Sequence, residues 1–323
     1  MKESTKDIFL KLQNIGLIPV IKIDNPDHAI PLGKALVAGG LPVAEVTFRT
    51  AAAEEVIKRL STEVPELLLG AGTVINRNLA QKALAAGAKF IVSPGFNPET
   101  VDWCMEQGIP IIPGANTPSL IEEGLSKGLE VFKFFPAENS GGASMIQALS
   151  APFGNVRFVP TGGIDTKNIA DYARLDSVLA IGGSWMVKAD LIQNEQWDVI
   201  QRLCKEARLA IQGFSFAHMG INQKDENTAS ETANLLAAFG FILKAGSSSI
   251  FADTSFEVMK SPYRGTMGHI AITCYNLERA LAYLEPFGFK SLEETAKREK
   301  GMLKVIYLDK EIGGFAVHLV KVS

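Results

Sequence analysis

The chain has 323 residues, of which 47% are hydrophobic and 21% charged, and its formal net charge is −3. This length suggests one large domain or two ordinary ones, and a slightly acidic chain without a basic run argues against nucleic acid as a partner. No apolar segment reaches the roughly 18 residues of a membrane span, and the polar N-terminus lacks the apolar region of a signal peptide. The three widely spaced cysteines form neither a disulfide framework nor a zinc pattern, so we expect a reducing, cytoplasmic setting.

The first two thirds of the chain alternate short apolar runs with longer stretches of helical character. The eight runs, each predicted to be a strand, are 17–23, 43–49, 67–74, 90–95, 110–115, 130–137, 157–163 and 178–184. Helical stretches follow them, for example at 27–38, 51–60 and 79–86, and glycine after a helix is a stop signal. The pattern predicts a compact (β/α)₈ TIM barrel over residues 1–212. The alternative, an open doubly wound sheet, lacks the Gly-x-Gly-x-x-Gly fingerprint after the first strand.

The composition changes after Gln212, where the last barrel-like helix, predicted at 193–211, has ended. Residues 213–323 form two similar modules. The first has a strand at 213–221, a helix at 228–239 and a strand at 251–259; the second has a strand at 268–273, a helix at 277–287 and strands at 303–308 and 314–322. Both predicted helices end in similar sequences, Ala-Phe-Gly-Phe at 238–241 and Pro-Phe-Gly-Phe at 286–289, which we interpret as a sign of duplication.

A single lysine lies inside the apolar run at 130–137. Lys133 is flanked by Val131, Phe132, Phe134 and Phe135. A lysine is rarely buried unless it is paired or put to use. Burial disfavours the ammonium form, and the neutral amine is then free to attack a carbonyl, which is the chemistry of a Schiff-base enzyme. The alternative is a strand-edge lysine whose head group lies in water.

Two further charged residues lie on the second predicted strand. Glu45, Thr47 and Arg49 alternate and therefore share one face, which should point into the barrel near the end where Lys133 lies. In this arrangement Lys133 would form an iminium and Glu45 would shuttle a proton. Arg49 would hold a carboxylate and favour the neutral amine. The alternative is a purely structural ion pair, which would be costly inside a barrel.

Strands three, seven and eight end in glycine-rich turns at 70–74, 161–164 and 182–184. Exposed backbone amides after strands seven and eight are the usual phosphate cradle of this fold. One glycine turn alone carries little weight, but two at the expected strand ends favour a site. The sequence therefore predicts that an anionic group is bound by Gly163, Gly183 and Ser184.

Six motifs follow one another in a recognisable order. They are Glu-Val-Thr-Phe-Arg-Thr at 45–50, Gly-Ala-Gly-Thr-Val at 70–74, Ser-Pro-Gly at 93–95, Phe-Lys-Phe-Phe-Pro-Ala-Glu at 132–138, Pro-Thr-Gly-Gly-Ile at 160–164 and Ile-Gly-Gly-Ser-Trp at 181–185. With these motifs, residues 15–212 resemble the 2-keto-3-deoxy-6-phosphogluconate (KDPG) aldolase family, which includes the 4-hydroxy-2-oxoglutarate (KHG) aldolases.

The resemblance implies a class I aldolase that reversibly cleaves a small 2-keto-4-hydroxy acid into pyruvate and an aldehyde, without a cofactor. It implies Lys133 as the Schiff-base residue, Glu45 as the acid/base and a homotrimeric assembly. It also implies substrate contacts from nine further residues: Arg49, Thr73, Pro94, Phe135, Thr161, Gly162, Gly163, Gly183 and Ser184. Of these, the four from Gly162 to Ser184 would hold a phosphate.

Residues 213–323 resemble the vicinal oxygen chelate family, which includes glyoxalase I and the bleomycin-resistance proteins. The resemblance implies a smaller α+β domain of paired βαβββ modules. Matching the motifs places His218, Glu257, His269 and His318 at four metal-ligand positions, a set that suits Zn²⁺, Ni²⁺, Fe²⁺ or Mn²⁺. His318 departs from the pattern, since many relatives carry glutamate there. The alternative is four unrelated polar residues in a small packing or binding domain.

Two other functions stay open at this point. The barrel could be a phosphosugar isomerase or epimerase in which Lys133 acts as a base, and such an enzyme would form no adduct that borohydride can trap. The C-terminal domain could be a non-catalytic module that stabilises the oligomer or binds a small molecule. Neither alternative involves nucleic acid or a membrane.

Overall fold

The computed structural model describes residues 4–299 and 301–322. The chain forms two compact units, one ending at Ile211 and the other beginning at Gln212. Buried apolar side chains cluster inside each unit, and the second unit contains two such clusters, one before and one after residue 260. In the described ranges, no helix combines the length and the apolar character that a membrane crossing requires.

The first unit alternates strands and helices along the chain. Its strands are β1 (Leu17–Ile21), β2 (Val43–Thr47), β3 (Leu68–Gly72), β4 (Phe90–Val92), β5 (Ile111–Ile112), β6 (Val131–Phe134), β7 (Arg157–Pro160) and β8 (Ile181–Gly183). Its helices are α1 (Thr5–Ile15), α2 (Ala29–Ala38), α3 (Ala53–Glu63), α4 (Arg77–Ala85), α5 (Pro98–Glu106), α6 (Pro118–Ser126), α7 (Gly142–Ser150), α8 (Ile169–Ala173), α9 (Ala189–Gln193) and α10 (Trp197–Ala210).

The eight strands close into a ring. Six run parallel in the order β5-β4-β3-β2-β1-β8, and β6 and β7 form a parallel pair. Single bridges join the pair to the sheet on both sides, at Gly114–Lys133, Phe158–Val178 and Thr161–Gly182. The predicted (β/α)₈ barrel is confirmed. The carboxyl ends of all eight strands therefore lie at one end of the barrel, where active sites of this fold are found.

Helix α1 packs against the opposite end of the barrel. It begins with a capping box between Ser4 and Asp7 and ends at Gly16, whose φ of 74° is in the left-handed region. Ile8 and Leu12 are buried in one cluster with residues from the strands, such as Val43 at the start of β2. This end is filled with apolar side chains, so it serves stability, while the other end is available for chemistry.

The predicted strand runs are longer than the strands themselves. The run at 110–115, for example, contains only Ile111–Ile112 as strand. The buried apolar residues continue into the turns that follow the strands, so hydrophobicity alone does not mark where pairing stops. The glycine stop signals are confirmed, because Gly87 and Gly128 follow helices with φ of 108° and 85°.

The second unit consists of two βαβββ modules that share one sheet. Its elements are β9 (Ser215–Asn222), α11 (Glu226–Ala237), β10 (Leu243–Ala245), β11 (Ser249–Ala252), β12 (Phe256–Met259), β13 (Gly268–Cys274), α12 (Leu277–Leu284), β14 (Ser291–Glu299), β15 (Met302–Ile312) and β16 (Phe315–Lys321). The strand order is β10-β11-β12-β9-β13-β16-β15-β14. The first strands of the two modules, β9 and β13, are antiparallel neighbours at the centre.

The prediction of a single strand at 251–259 is wrong. The segment folds as a hairpin of β11 and β12, because Asp253 adopts a φ of 50° and its carboxylate accepts a hydrogen bond from the Ile242 amide at 3.0 Å. An aspartate tolerates this left-handed conformation, which turns the chain. Strand β14 was not predicted, since its sequence from Ser291 to Glu299 is too polar to give an apolar alternation.

Candidate active site and candidate metal centre

A cavity of about 360 Å³ opens at the carboxyl ends of the barrel strands. All eleven barrel residues predicted to form the site line it: Glu45, Arg49, Thr73, Pro94, Lys133, Phe135, Thr161, Gly162, Gly163, Gly183 and Ser184. They come from the ends of six different strands and the turns that follow, so the fold brings together residues that are far apart in sequence.

Lys133 and Glu45 form a buried pair at the bottom of this cavity. Lys133 Nζ donates to Glu45 Oε1 at 3.0 Å, and the side chains are only 6% and 1% exposed. The alternative of a strand-edge lysine with its head group in water is therefore wrong. The second carboxylate oxygen, Glu45 Oε2, is buried and has no hydrogen-bond partner among the described residues. It is thus available to accept a proton from a group in the cavity.

Arg49 lies beyond the strand on which it was predicted. β2 ends at Thr47, and Arg49 belongs to the turn that follows. Thr47 orients the guanidinium, because its hydroxyl accepts from Arg49 Nε at 3.0 Å and donates to the Ile21 carbonyl at 2.7 Å. Among the described residues, Arg49 makes a side-chain hydrogen bond only through Nε, so its terminal nitrogens can bind a carboxylate, which a guanidinium does with two parallel hydrogen bonds.

The glycines of the motif at 70–74 make room for their neighbours. A Cβ atom at Gly72 would overlap the Glu45 carboxylate, and one at Gly70 would overlap the Phe90 ring. Thr73 follows with a φ of 58°, which is unusual for a β-branched residue and is held only where the surroundings demand it. This segment therefore fixes the Glu45 carboxylate and brings Thr73 to the cavity wall.

The turns after β7 and β8 present backbone amides to the cavity. Gly162 and Gly163 have φ of 103° and 79°, a conformation that favours glycine. Their carbonyl groups are occupied, because they accept from the Glu138 amide at 3.1 Å and from Asn168 Nδ2 at 3.0 Å. Within the described ranges, the amides of Gly162, Gly163 and Ser184 donate to no protein acceptor. Unpaired amides at neighbouring turns form an anion-binding concavity.

Four further residues, which were not predicted to belong to the site, also line the cavity: Val20, Thr47, Ile164 and Gly182. Thr47 could have been found, since it alternates with Glu45 and Arg49 on the polar face of the second strand. Gly182 has a steric reason for being glycine, because a Cβ atom there would overlap the Thr161 hydroxyl.

The four predicted metal ligands of the second unit lie on one face of its sheet. They occupy the neighbouring strands β12, β9, β13 and β16. His218 and His318 both pair with Ala271, and Glu257 and His269 both pair with Gly220, so all four share one side of the sheet. The small partners leave space, and a Cβ atom at Gly220 would overlap the His269 ring.

The side chains of this histidine–glutamate cluster (His218, Glu257, His269 and His318) converge on one point. His269 Nε2 lies 3.1 Å from Glu257 Oε2 and 3.2 Å from His218 Nε2. One nitrogen of each histidine lies within 4.8 Å of those of the other two. Burial raises the pKa of the Glu257 carboxyl, but hydrogen bonds from His218, His269 and Ser249 outweigh it and hold the pKa well below its usual range. Glu257 is therefore ionised.

Both ring nitrogens of His318 are buried without a hydrogen-bond partner in the described part of the chain. Burial, and next the neighbouring His269 and His218, lower the pKa of His318 to about 3, so its imidazole is neutral. Tyr307 stacks on the ring at a centroid distance of 4.6 Å and fixes its plane. A neutral imidazole with a free nitrogen is the form that ligates a metal.

The barrel and its buried lysine–carboxylate pair define a lyase of the Schiff-base, class I aldolase type. A family model described as KDPG and KHG aldolase matches residues 8–203. A 2-dehydro-3-deoxy-phosphogluconate aldolase from Haemophilus influenzae is 44% identical over 64% of this chain and 97% of its own length. A KHG/KDPG aldolase from Escherichia coli is 47% identical over 59% of this chain and 90% of its own length.

Solved structures agree with these relatives. A KDPG aldolase from Legionella pneumophila, with pyruvate captured as a covalent carbinolamine, has a TM-score of 0.61 and 41% identity, covering 64% of this chain and 98% of that one. A second, from Zymomonas mobilis with 3-phosphoglycerate, has a TM-score of 0.59 and 39% identity, covering 64% and 96%. The chain belongs to the KDPG and KHG aldolase family.

Proposed function

We propose that the barrel cleaves KDPG reversibly into pyruvate and glyceraldehyde 3-phosphate, and KHG into pyruvate and glyoxylate. The single observation that carries this proposal is the buried contact of 3.0 Å between Lys133 Nζ and Glu45 Oε1 at the bottom of the cavity. It supports the proposal because a nucleophilic amine and a proton acceptor in direct contact can act on the same bound substrate.

The reaction begins when the uncharged amine of Lys133 attacks the C2 carbonyl of the substrate. Loss of water from the carbinolamine gives an iminium, which is the electron sink for the next step. A proton leaves the C4 hydroxyl as the C3–C4 bond breaks, and this releases the aldehyde and leaves an enamine. Protonation of C3 and addition of water then free pyruvate and Lys133. Glu45, with its unpartnered Oε2, is the group that moves these protons.

The remaining cavity residues bind the two ends of the substrate. Arg49, oriented by Thr47, and Thr73 hold the pyruvyl carboxylate. The unpaired amides of the turns after β7 and β8 hold the phosphate. The side chains of Pro94, Phe135 and Thr161 form the walls between these two anionic sites.

A substrate panel tests this proposal. KDPG, its unphosphorylated counterpart and KHG would each be supplied to the purified chain, and pyruvate release would be followed with lactate dehydrogenase and NADH. We expect cleavage of KDPG and KHG in the absence of any added metal. Release of no pyruvate from any of the three acids would contradict the proposal.

We also propose that the protein is a cytoplasmic homotrimer. The assembly rests on the family resemblance, and the compartment is supported by Cys104, Cys204 and Cys274, which are all free and buried. Light scattering on the purified protein should give three times the mass of one chain. A monomer at micromolar concentration would contradict the trimer.

For the second unit we propose a divalent metal centre at the histidine–glutamate cluster. The unpartnered nitrogens of His318 support it, since leaving a buried polar group without a partner costs on the order of 1–3 kcal/mol. Three imidazoles and an ionised carboxylate suit Zn²⁺, Ni²⁺, Fe²⁺ or Mn²⁺. The ion would supply a Lewis acid that polarises a substrate oxygen. The competing proposal is a packing or binding module without metal.

Removal of metal by a chelator is expected to affect the second unit and leave the barrel unchanged. Growth with zinc, nickel, iron and manganese should give about one ion per chain by elemental analysis, and a chelator should remove it. Metal at 100 times its Kd contributes about 2.7 kcal/mol to the stability of the unit that binds it. The unfolding temperature of the second unit should therefore fall, while aldolase turnover stays unchanged because that reaction uses the Lys133 amine.

The matched variants are His269→Ala and His28→Ala. Each removes one of the four histidines of the chain, but His28 belongs to the barrel, where it contacts Glu195 and Trp197. His269→Ala should abolish metal content and His28→Ala should keep it. A metal-free wild type after reconstitution would leave the packing module as the better proposal, and loss of aldolase turnover on chelation would point to a metal-dependent barrel.

A further inference from the structure

A second cavity of about 360 Å³ adjoins the active site at the mouth of the barrel. It shares Val20, Arg49 and Ser184 with the catalytic cavity. Its other lining residues are Lys22, Val187, Lys188, Ala189 and Asp190. Three cationic side chains therefore face one carboxylate in a space that opens directly onto the amides of the phosphate site. Such an excess of positive charge in a cleft attracts anions.

The strand register explains why the two lysines meet. β1 and β8 are parallel neighbours, with Pro19 opposite Gly183. Lys22 follows the end of β1, and Lys188 follows the short helical turn Trp185–Val187 after β8. Both side chains thus line one cavity at the carboxyl end of the barrel together with Ser184, whose amide donates to no protein acceptor within the described ranges.

Neither lysine has a strong partner among the described residues. Lys22 contacts Asp24 at 3.4 Å, but both side chains are well exposed, and such pairs contribute little. In the part of the chain that the structure describes, no side-chain hydrogen bond or ion pair involves Lys188. An anion at Ser184 would therefore compete with the exposed Asp24 for Lys22, and with no described side chain for Lys188. By contrast, Arg59 on the barrel surface holds two carboxylates, those of Asp27 and Glu55.

Resting on the function proposed above, we propose that Lys22 and Lys188 bind the phosphate of the substrate and make the enzyme prefer phosphorylated over unphosphorylated keto acids. A phosphate monoester carries close to two negative charges at neutral pH. The backbone amides of the cradle supply only partial charges, so they leave most of that charge uncompensated. Two ammonium groups would compensate it, because lysine binds phosphate as a point charge.

The kinetic test compares Lys22→Ala/Lys188→Ala with wild type on KDPG and on its unphosphorylated counterpart. The double variant should raise KM for KDPG roughly tenfold, which corresponds to about 0.7 kcal/mol for each of two exposed charge pairs. Values of kcat, and KM for the unphosphorylated acid, should not change. Lys89→Ala is the matched control, since it removes one exposed lysine just before β4, at the opposite end of the barrel. Equal KM changes for both acids would overturn the proposal.

Calorimetric titration with glycerol 3-phosphate separates this proposal from the aldolase activity. Wild type and Lys89→Ala should bind this phosphate monoester equally, and the double variant should bind it about tenfold more weakly, with a smaller dependence on salt concentration. If wild type cleaves no keto acid yet shows this difference, the aldolase proposal fails and the lysine site stands. If the double variant binds as tightly as wild type, the lysine site fails even in an active aldolase.

Discussion

Lys133→Arg is expected to lower kcat by on the order of 10⁶-fold, the loss found when a covalent nucleophile is removed from an enzyme. Arginine keeps the positive charge beside Glu45, but a guanidinium cannot form an iminium with a keto acid. The buried pair of Lys133 and Glu45 is therefore kept electrostatically while the chemistry is lost. The measurement is pyruvate release from KDPG, followed to complete single turnovers.

A folding control accompanies this variant. Arginine is larger than lysine and the pair is buried, so overpacking can cost about 1–3 kcal/mol of stability and thermal unfolding must show that the variant is folded. Lys133→Cys treated with 2-bromoethylamine restores an amine at the same distance from the backbone, and should recover part of the activity. Lys133→Ala given the same treatment should recover none. A Lys133→Arg enzyme within tenfold of wild type would contradict the nucleophile assignment.

Glu45→Gln is expected to slow exchange of the pyruvate methyl protons by about 10²–10⁴-fold, the usual contribution of a general acid/base. Glutamine can still accept a hydrogen bond from Lys133 Nζ, but it cannot carry a proton between the enamine and water. Pyruvate affinity should therefore change little. Deuterium incorporation into pyruvate, followed by NMR in heavy water, measures the rate, and titration with pyruvate measures the affinity.

Gly72→Ala is the steric counterpart of this change. It keeps the Glu45 carboxylate but places a Cβ atom against Oε1, the oxygen that accepts from Lys133 Nζ, so this carboxylate must shift. We expect slower exchange for Gly72→Ala too. Exchange at the wild-type rate in Glu45→Gln would remove Glu45 from the proton-transfer role. If exchange is slow in Glu45→Gln but unchanged in Gly72→Ala, the carboxylate can transfer the proton from a displaced position.

The barrel and its cavity could be predicted because their signals are local. Eight apolar runs with glycine stops define the (β/α)₈ order, and the carboxyl ends of parallel strands must meet. A lone lysine between phenylalanines and the alternation of Glu45 with Arg49 mark polar groups facing inward. The orientation of Arg49 by Thr47 was not predictable, because it depends on where β2 ends and on the Ile21 carbonyl of the neighbouring strand.

The second unit could be predicted less well from its residues alone. The polar strand β14 and the turn at Asp253 follow from pairing with neighbouring strands and from one hydrogen bond to Ile242, not from apolar periodicity. Its four predicted ligands came from a family resemblance. Their convergence depends on the small residues Ala271 and Gly220, whose importance is evident only once the strand register is known.

Trapping with borohydride tests the central claim most directly. Pyruvate and sodium borohydride would be added together to the wild-type enzyme, and the modified peptide would be identified by mass spectrometry. We expect irreversible inactivation, with a reduced pyruvyl adduct on Lys133 and none in the Lys133→Arg variant. Borohydride alone is the control and should leave activity intact. Full activity after treatment with pyruvate and borohydride would contradict a Schiff base and favour an isomerase or epimerase that uses the lysine as a base. An adduct on another lysine would contradict Lys133 as the Schiff-base residue.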